Sequence, residues 1–430
     1  MHILYVSDVY FPRVNGVSTS IQTFRGELGE LGHETTLIAP AYPTPCTDEP
    51  GILRVPSHYV PLDPEDRAMR WRLVRRLGDA LAATRFDLIH IHTPFVAHYA
   101  GLRLARRWRI PVIATYHTLF EEYLAHYVPF APRRFMRALA RRFSRSQCNA
   151  LDAVVVPSTA MRETLERYGV TTRIEIVPTG IPLGEFVGGD GARFRADLGI
   201  PPSQPVLAYV GRVAFEKNIE FLLRAFALVR RSVLDALLIV CGEGPALPSL
   251  RRLASELGLA DSVRFVGYLE RTTRLLDCYR AADALVFASR TETQGLVLLE
   301  AMALGVPVVS TAVMGTRDVV GPGRGVLVAE DEERDFAAKT VRLLHDSALR
   351  ERLAEDGRDY ARSWSSAALA KRLEAVYRSL VERDRNCADG APALWSASRR
   401  ISCGSVRGPH LRCCATTQRR RCNLAVTIAT

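Results

Sequence analysis

Short apolar runs alternate with amphipathic stretches along most of this chain. In the first half, Ile3–Val6, Thr35–Ala39, Leu88–His92, Val112–Tyr116 and Ala153–Val156 have the length and composition of buried strands, with room for a helix between successive runs. The second half restarts the rhythm with Val206–Val210, Leu237–Val240, Val263–Val266, Ala284–Phe287, Val308–Ser310 and Gly325–Val328. Strands alternating with helices predict parallel sheets covered on both faces, hence an α/β fold. Two such series predict two Rossmann-like domains facing across a cleft, 1–180 and 181–365, with the break in the turn-rich run Val177–Pro182. A final amphipathic helix is predicted over Ser366–Glu382, with Leu369, Leu373, Val376, Tyr377 and Leu380 on one face. After Arg385 the apolar periodicity stops. Residues 386–430 are rich in Ser, Arg and Cys, and are expected to be disordered and to stay outside the core.

Composition narrows the class. A chain of 430 residues suits two domains, and 48% hydrophobic with 24% charged residues is ordinary for a globular protein. No run of eighteen apolar residues predicts a membrane span. The chain opens directly on a strand, without a basic leader or cleavage site, so a cytoplasmic location is expected. Cys46, Cys148, Cys241 and Cys278 are scattered and are expected to be free thiols. Five more cysteines crowd the tail in no defensible zinc pattern. The net charge of +11 is uneven, with ten Arg against Glu121 and Glu122 between residues 101 and 150. Anionic lipid and phosphorylated substrates are the expected partners. Nucleic acid is not, because no binding motif accompanies the charge.

The densest chemistry lies at Glu292-Thr293-Gln294-Gly295-Leu296, leading through Val297–Leu299 to Glu300. A loop becomes a buried helix at about Gly295, so Glu292 precedes the helix and Glu300 falls in its second turn. The free N–H groups at such a helix start suit an anion. The carboxylates suit hydroxyls, since an ionised carboxylate only accepts hydrogen bonds. Glu300 has apolar neighbours on both sides and needs a partner. Upstream, the strand Val206–Val210 ends at Gly211-Arg212, and Lys217 follows. Only three of the 57 basic residues are Lys, and an ammonium after a strand end suits a diphosphate. A solvated helix start is the competing reading of Lys217.

Taken together, Gly211-Arg212-x4-Lys217, Gly242-Glu243-Gly244-Pro245 and Glu292-x7-Glu300 resemble the retaining nucleotide-sugar glycosyltransferases of family 4, over most of residues 1–385. The resemblance implies the GT-B architecture, with the segment 366–385 crossing back to the first domain. It also implies that Arg212 and Lys217 grip the donor diphosphate, Glu292 the hexose hydroxyls and Glu300 the ribose. Gly211, Glu243 and the backbone of Thr293, Gln294, Gly295 and Leu296 would complete the donor site. On the first domain it implies a glycine loop at Gly16 over the diphosphate, and His117 against the donor sugar near the reacting carbon. His90, His92 and His98 cluster near a strand end, but without carboxylates at ligand spacing. No metal and no cofactor are expected; the nucleotide sugar is a substrate.

Tyr116-His117-Thr118-x2-Glu121-Glu122-Tyr123 and Thr291–Leu296 resemble the branch that glycosylates membrane lipids such as diacylglycerol, although Phe is more frequent in the family where Gln294 stands. The stretch Pro132–Arg145 is basic and amphipathic, with Phe135, Met136, Leu139 and Phe143 among six Arg. Arg70–Arg76 is a shorter example. Both suit an anionic membrane surface, and equally a helix packed on its own sheet. The expectation is a metal-independent, retaining hexosyltransferase, peripheral on the inner face of the plasma membrane, with a lipid acceptor. A soluble acceptor, or sugar binding without turnover, are the alternatives. A dehydrogenase is disfavoured because no Gly-x-Gly-x-x-Gly follows the first strand.

Overall fold

A computed structural model describes residues 1–43, 49–60, 63–117 and 133–389. The first sheet has seven parallel strands in the order β3-β2-β1-β6-β7-β8-β9. They are β1 (His2–Val6), β2 (Glu34–Pro40), β3 (Ile52–Val55), β6 (Leu88–Ile91), β7 (Val112–Thr115), β8 (Ala153–Val156) and β9 (Ile174–Ile176). Between β3 and β6 the chain makes an antiparallel hairpin, β4 (Ser57–Val60) with β5 (Asp63–Met69). The second sheet has six parallel strands in the order β12-β11-β10-β13-β14-β15. These are β10 (Val206–Val210), β11 (Leu237–Cys241), β12 (Val263–Gly267), β13 (Ala284–Phe287), β14 (Val308–Thr311) and β15 (Val326–Ala329). This is the GT-B architecture of two Rossmann-like sheets. Every strand that an apolar run predicted is present within a residue or two. The unpredicted β3, β9 and the β4–β5 hairpin are edge or separate elements, only half-buried, so no apolar run marks them.

In each sheet the strand order reverses beside the first strand in sequence: between β1 and β6, and between β10 and β13. Helices leave opposite faces at such a point and open a crevice beyond the strand ends.

The predicted final helix runs Ser366–Asp389. Its Leu373, Val376, Tyr377, Leu380 and Val381 pack with Ile3, Tyr5, Leu88, Ile113 and Val155 of the first sheet. The chain passes between the sheets twice, at Ile181 and at Ser365, and the passages bond to each other: Ile181 N–H to Trp364 O at 2.9 Å, and Ser366 N–H to Ile181 O at 3.0 Å. Gly180 lies against the Ser366 backbone, where a Cβ would collide. Cys148, Cys241 and Cys278 are buried free thiols; Cys46 and the tail beyond Asp389 lie outside the described residues. Among the described residues no helix is long and apolar enough to cross a membrane.

Candidate active site

The turns after β10 and β11 are laced together. Gly211 N–H reaches Cys241 O at 3.1 Å, Val213 N–H reaches Glu243 O at 2.8 Å, and Ala246 N–H reaches Val213 O at 3.0 Å. Gly242 sits at φ 132°, where a Cβ would strike the Gly211 carbonyl. Glycine is therefore required there for close backbone approach. Glu243 contributes its carbonyl to this lacing, and its carboxylate lies beside Gly267.

Arg212 and Lys217 both follow the end of β10 on this laced turn. Arg212 lies 3.6 Å from Glu216. Lys217 Nζ donates to Glu292 Oε1 at 2.5 Å, and both side chains are about 20% exposed. A predicted diphosphate cation and a predicted sugar carboxylate thus meet across 75 residues of sequence. Gly295 takes the left-handed conformation, φ 92°, and caps the helix Leu296–Ala303, so the loop-to-helix change falls where the sequence placed it. Glu292 O accepts from Gly315 N–H at 2.9 Å, which fixes the approach to that cap.

Glu300 is 2% exposed on the buried side of this helix. Its Oε1 accepts from Arg271 at 2.6 Å and its Oε2 from Tyr279 at 2.9 Å. The required partner is therefore Arg271, with a phenol completing the set. Burial, and then the Glu300 charge, push the Tyr279 hydroxyl well above its ordinary pKa, so it stays a donor. Sequence reasoning missed both residues. Arg271 is one of many arginines, and only the fold brings it to Glu300.

Gln294 is buried and its side chain faces the chain passage. Oε1 accepts from Thr179 N–H at 2.8 Å, and Nε2 donates to Thr179 O at 2.7 Å. Thr179 Oγ1 in turn donates to Ser20 Oγ at 2.8 Å. Ser20 belongs to the helix Gly16–Glu30, which is capped by Asn15 accepting from Ser18 N–H at 2.9 Å. The space where a Gly16 Cβ would stand is open. Gln294 thus ties the Glu292 loop to the helix that Gly16 opens. One amide N–H and the amide oxygen of Gln294 are committed to Thr179, so the part of Gln294 expected to meet a ligand is its main chain, as for Thr293.

On the first sheet, Asp8 follows β1 and accepts from Ala97 N–H at 3.0 Å and Thr93 Oγ1 at 2.8 Å, anchoring the start of the helix Val96–Trp108. Burial lifts its carboxyl to about 6 despite these bonds. His90 and His92 are buried with ring centres 4.1 Å apart. His90 Nδ1 meets the Tyr377 hydroxyl at 2.5 Å and its Nε2 meets Thr115 Oγ1 at 2.7 Å; the Tyr377 and Tyr5 hydroxyls lie 3.0 Å apart. His92 Nδ1 lies 3.1 Å from His117 Nε2. Burial holds His117 at about 4, so it is neutral at pH 7. His98 stands apart beside Tyr99, with its pKa lowered by burial to about 4. Among the described residues no group of three His, Cys, Asp or Glu is placed to hold a metal ion. Thr118 to Pro132, including Glu121 and Glu122, lies outside the described residues.

The two basic segments become neighbours through a third helix. Arg133–Cys148 is one helix, in which Met136 and Ala140 are buried while Phe135 is 64% and Leu139 48% exposed. Arg134, Arg137, Arg141 and Arg142 are exposed around them. Gln147 Nε2 of that helix donates to the Tyr99 hydroxyl at 3.3 Å. Tyr99 belongs to the helix Val96–Trp108, whose Ala100, Arg103 and Leu104 share a hollow with Trp71 and Val74 of the helix Trp71–Ala80. The helix thus packs one apolar stripe inward, as the expectation of a helix packed on its own domain had it, and turns Phe135 and Leu139 outward.

Residues 14–185 match the family model described as Glycosyltransferase Family 4, and residues 190–360 the model described as Glycosyl transferases group 1. The chain is 35% identical over 324 residues to the alpha-monoglucosyldiacylglycerol synthase of Streptococcus pneumoniae, covering 72% of this chain and 71% of that protein. It is 34% identical over 303 residues to the D-inositol 3-phosphate glycosyltransferase of Nocardia farcinica, covering 68% and 66%. Among solved structures, Anabaena HepE in complex with UDP-glucose superposes with a TM-score of 0.70 at 16% identity, covering 88% of this chain and 100% of that one.

Proposed function

The chain belongs to glycosyltransferase family 4, and we propose that it moves a hexose from a nucleotide sugar, of the UDP-glucose or GDP-mannose type, to a membrane lipid such as diacylglycerol or a glycolipid, with retention at the anomeric carbon and without a metal. The observation that carries this reading is the meeting of Lys217 and Glu292 beside the helix start at Leu296, with Arg212 on the same laced turn. A diphosphate leaving group gains negative charge as the glycosidic bond breaks. Two cations and free helix N–H groups oppose that charge in a fixed arrangement, which is electrostatic catalysis. Glu292 is then the acceptor for hexose hydroxyls and Glu300 for the ribose, while His117 borders the sugar from the first domain. The sequence carries no Asp-x-Asp motif, which supports the metal-free form. In a same-face reaction the departing phosphate oxygen takes the proton of the acceptor hydroxyl, so no enzymic nucleophile is needed.

The lipid acceptor is supported by the outward stripe of Phe135 and Leu139 among arginines and by the diacylglycerol-glycosylating relative. An amphipathic helix of this kind lies at the headgroup boundary of an anionic leaflet, which puts the enzyme on the cytoplasmic face of a membrane. The test is a donor screen with purified protein, excess chelator and vesicles of anionic lipid with diacylglycerol. Chelator-resistant transfer of hexose to lipid is expected. Substituting Phe135→Ser, Leu139→Ser, Arg134→Gln and Arg142→Gln together should abolish vesicle flotation and spare donor hydrolysis. Transfer restricted to a water-soluble acceptor such as inositol 3-phosphate would establish the competing reading, which the Nocardia relative favours.

A further inference from the structure

The His92–His117 contact fixes more than position. His92 follows β6 and is buried. Its ring lies 4.8 Å from that of Tyr5 and is stacked on that of His117 at 5.4 Å and 24°. Its Nδ1 is 3.1 Å from His117 Nε2, while its own Nε2 is buried without a hydrogen-bond partner. Burial depresses the pKa of both rings, and the charge of His90 adds to this at His92, so each ring is neutral.

A neutral imidazole carries one N–H, and a hydrogen bond between two of them needs one donor and one acceptor. Two arrangements exist. In one, His117 donates from Nε2, and His92 must carry its proton on the buried Nε2, a donor with nothing to bond. In the other, His92 donates from Nδ1, and its buried Nε2 is a bare lone pair. A stranded N–H is rarer and costlier in a protein interior than a stranded acceptor. The second arrangement is therefore the stable one.

We infer that His92 is a positioning residue: by donating from Nδ1 to His117 Nε2 it holds His117 in the Nδ1–H tautomer, so that His117 offers the donor sugar a hydrogen-bond donor. The functional half of this inference rests on the reading that His117 borders the sugar; the tautomer itself does not. His90 takes no part, since Tyr377 and Thr115 occupy both of its nitrogens.

The experiment is long-range proton–nitrogen NMR on the full chain with labelled histidine, ten residues in all, assigned by single His→Gln variants. His117 protonated on Nδ1 in the wild type is the expected result; protonation on Nε2 overturns the inference. His92→Phe keeps a ring but removes the donor. It should release the His117 tautomer and lower kcat by about 100-fold, with donor KM nearly unchanged. His92→Asn puts an amide N–H near the place of Nδ1 and should restore both the signature and most of kcat. Equal kcat for His92→Phe and wild type would remove the positioning role. Should His92→Phe fail to fold, the wild-type spectrum and His92→Asn still decide. Full activity of His117→Phe would instead sink the sugar-facing reading of His117 and leave the tautomer result standing.

Discussion

Replacing Glu292 by Gln should strengthen nucleotide binding while weakening turnover. Glu292 pairs with Lys217 through a 2.5 Å contact, with each side chain one-fifth exposed. The gross attraction of such a pair is about 7 kcal/mol at an effective dielectric of about 20. Most of it is offset by lost hydration and side-chain order, and partly exposed pairs retain at most about 1 kcal/mol. An arriving diphosphate must share Lys217 with that carboxylate and also lies near its charge. Glutamine has the same shape and removes both penalties. Affinity for UDP or GDP, whichever the donor carries, should rise by about fivefold, equivalent to about 1 kcal/mol. In the role proposed for Glu292, glutamine also replaces a charged acceptor of the hexose hydroxyls, worth about 1.5–3 kcal/mol, so kcat with the sugar nucleotide should fall about 10- to 150-fold. Titration calorimetry with the free nucleotide, and initial rates with the sugar nucleotide, separate the two effects. Lys217→Ala is the control, because it must weaken the same nucleotide. If Glu292→Gln binds the nucleotide less tightly than wild type, the ion pair does not compete with the donor, and the assignment of Lys217 to the diphosphate falls.

Arg271→Ala leaves the buried Glu300 with Tyr279 alone and should cost about 3 kcal/mol of stability, the low end for breaking a buried pair because Arg271 is one-quarter exposed. Adding Glu300→Gln should recover most of that loss in urea denaturation, and no recovery would show that Arg271 acts elsewhere. His98 is held at about 4 against an ordinary 6.5, so its contribution is complete above pH 6.5 and is lost as pH falls towards 4, by about 3 kcal/mol. His98→Gln should flatten the fall of Tm over that window, and an unchanged slope would place its acid lability in other groups. Ending the chain after Arg385 should leave fold and turnover intact. Ending it after Trp364 should remove about 5 kcal/mol or more through loss of Leu373, Tyr377 and Leu380 alone, and a soluble, cooperatively unfolding product would contradict that.

Much of this architecture could be read from the chain because buried parallel strands are continuous apolar runs, and those runs stand out against Arg-rich helices. The helix start at Gly295 and the need of Glu300 for a partner were likewise local properties: a glycine before an apolar helix, and a carboxylate among Leu and Met. The partners themselves were not local. Arg271 to Glu300, Gln294 to Thr179 and Tyr377 to His90 each join residues from separate elements, and each uses a residue type whose individual position carries no signal. Gln294 shows the limit most clearly. Its place in the motif speaks only of its backbone, and nothing local shows that its amide is matched to a peptide group 115 residues away.

The return of the Ser366–Asp389 helix sets a schedule for biosynthesis. Residues up to Val177 leave the ribosome first, yet one face of their sheet is closed by Leu373–Val381, made about 200 residues later. At about 5–20 residues per second, Ile3, Tyr5 and Val155 are without that cover for roughly 10–40 s, while the second sheet is being made and can complete its own core. The first sheet, translated before the second, is therefore the one whose core is completed last. Protease protection of stalled nascent chains should reach the first sheet only when the stall lies far enough downstream for Val381 to have cleared the exit tunnel.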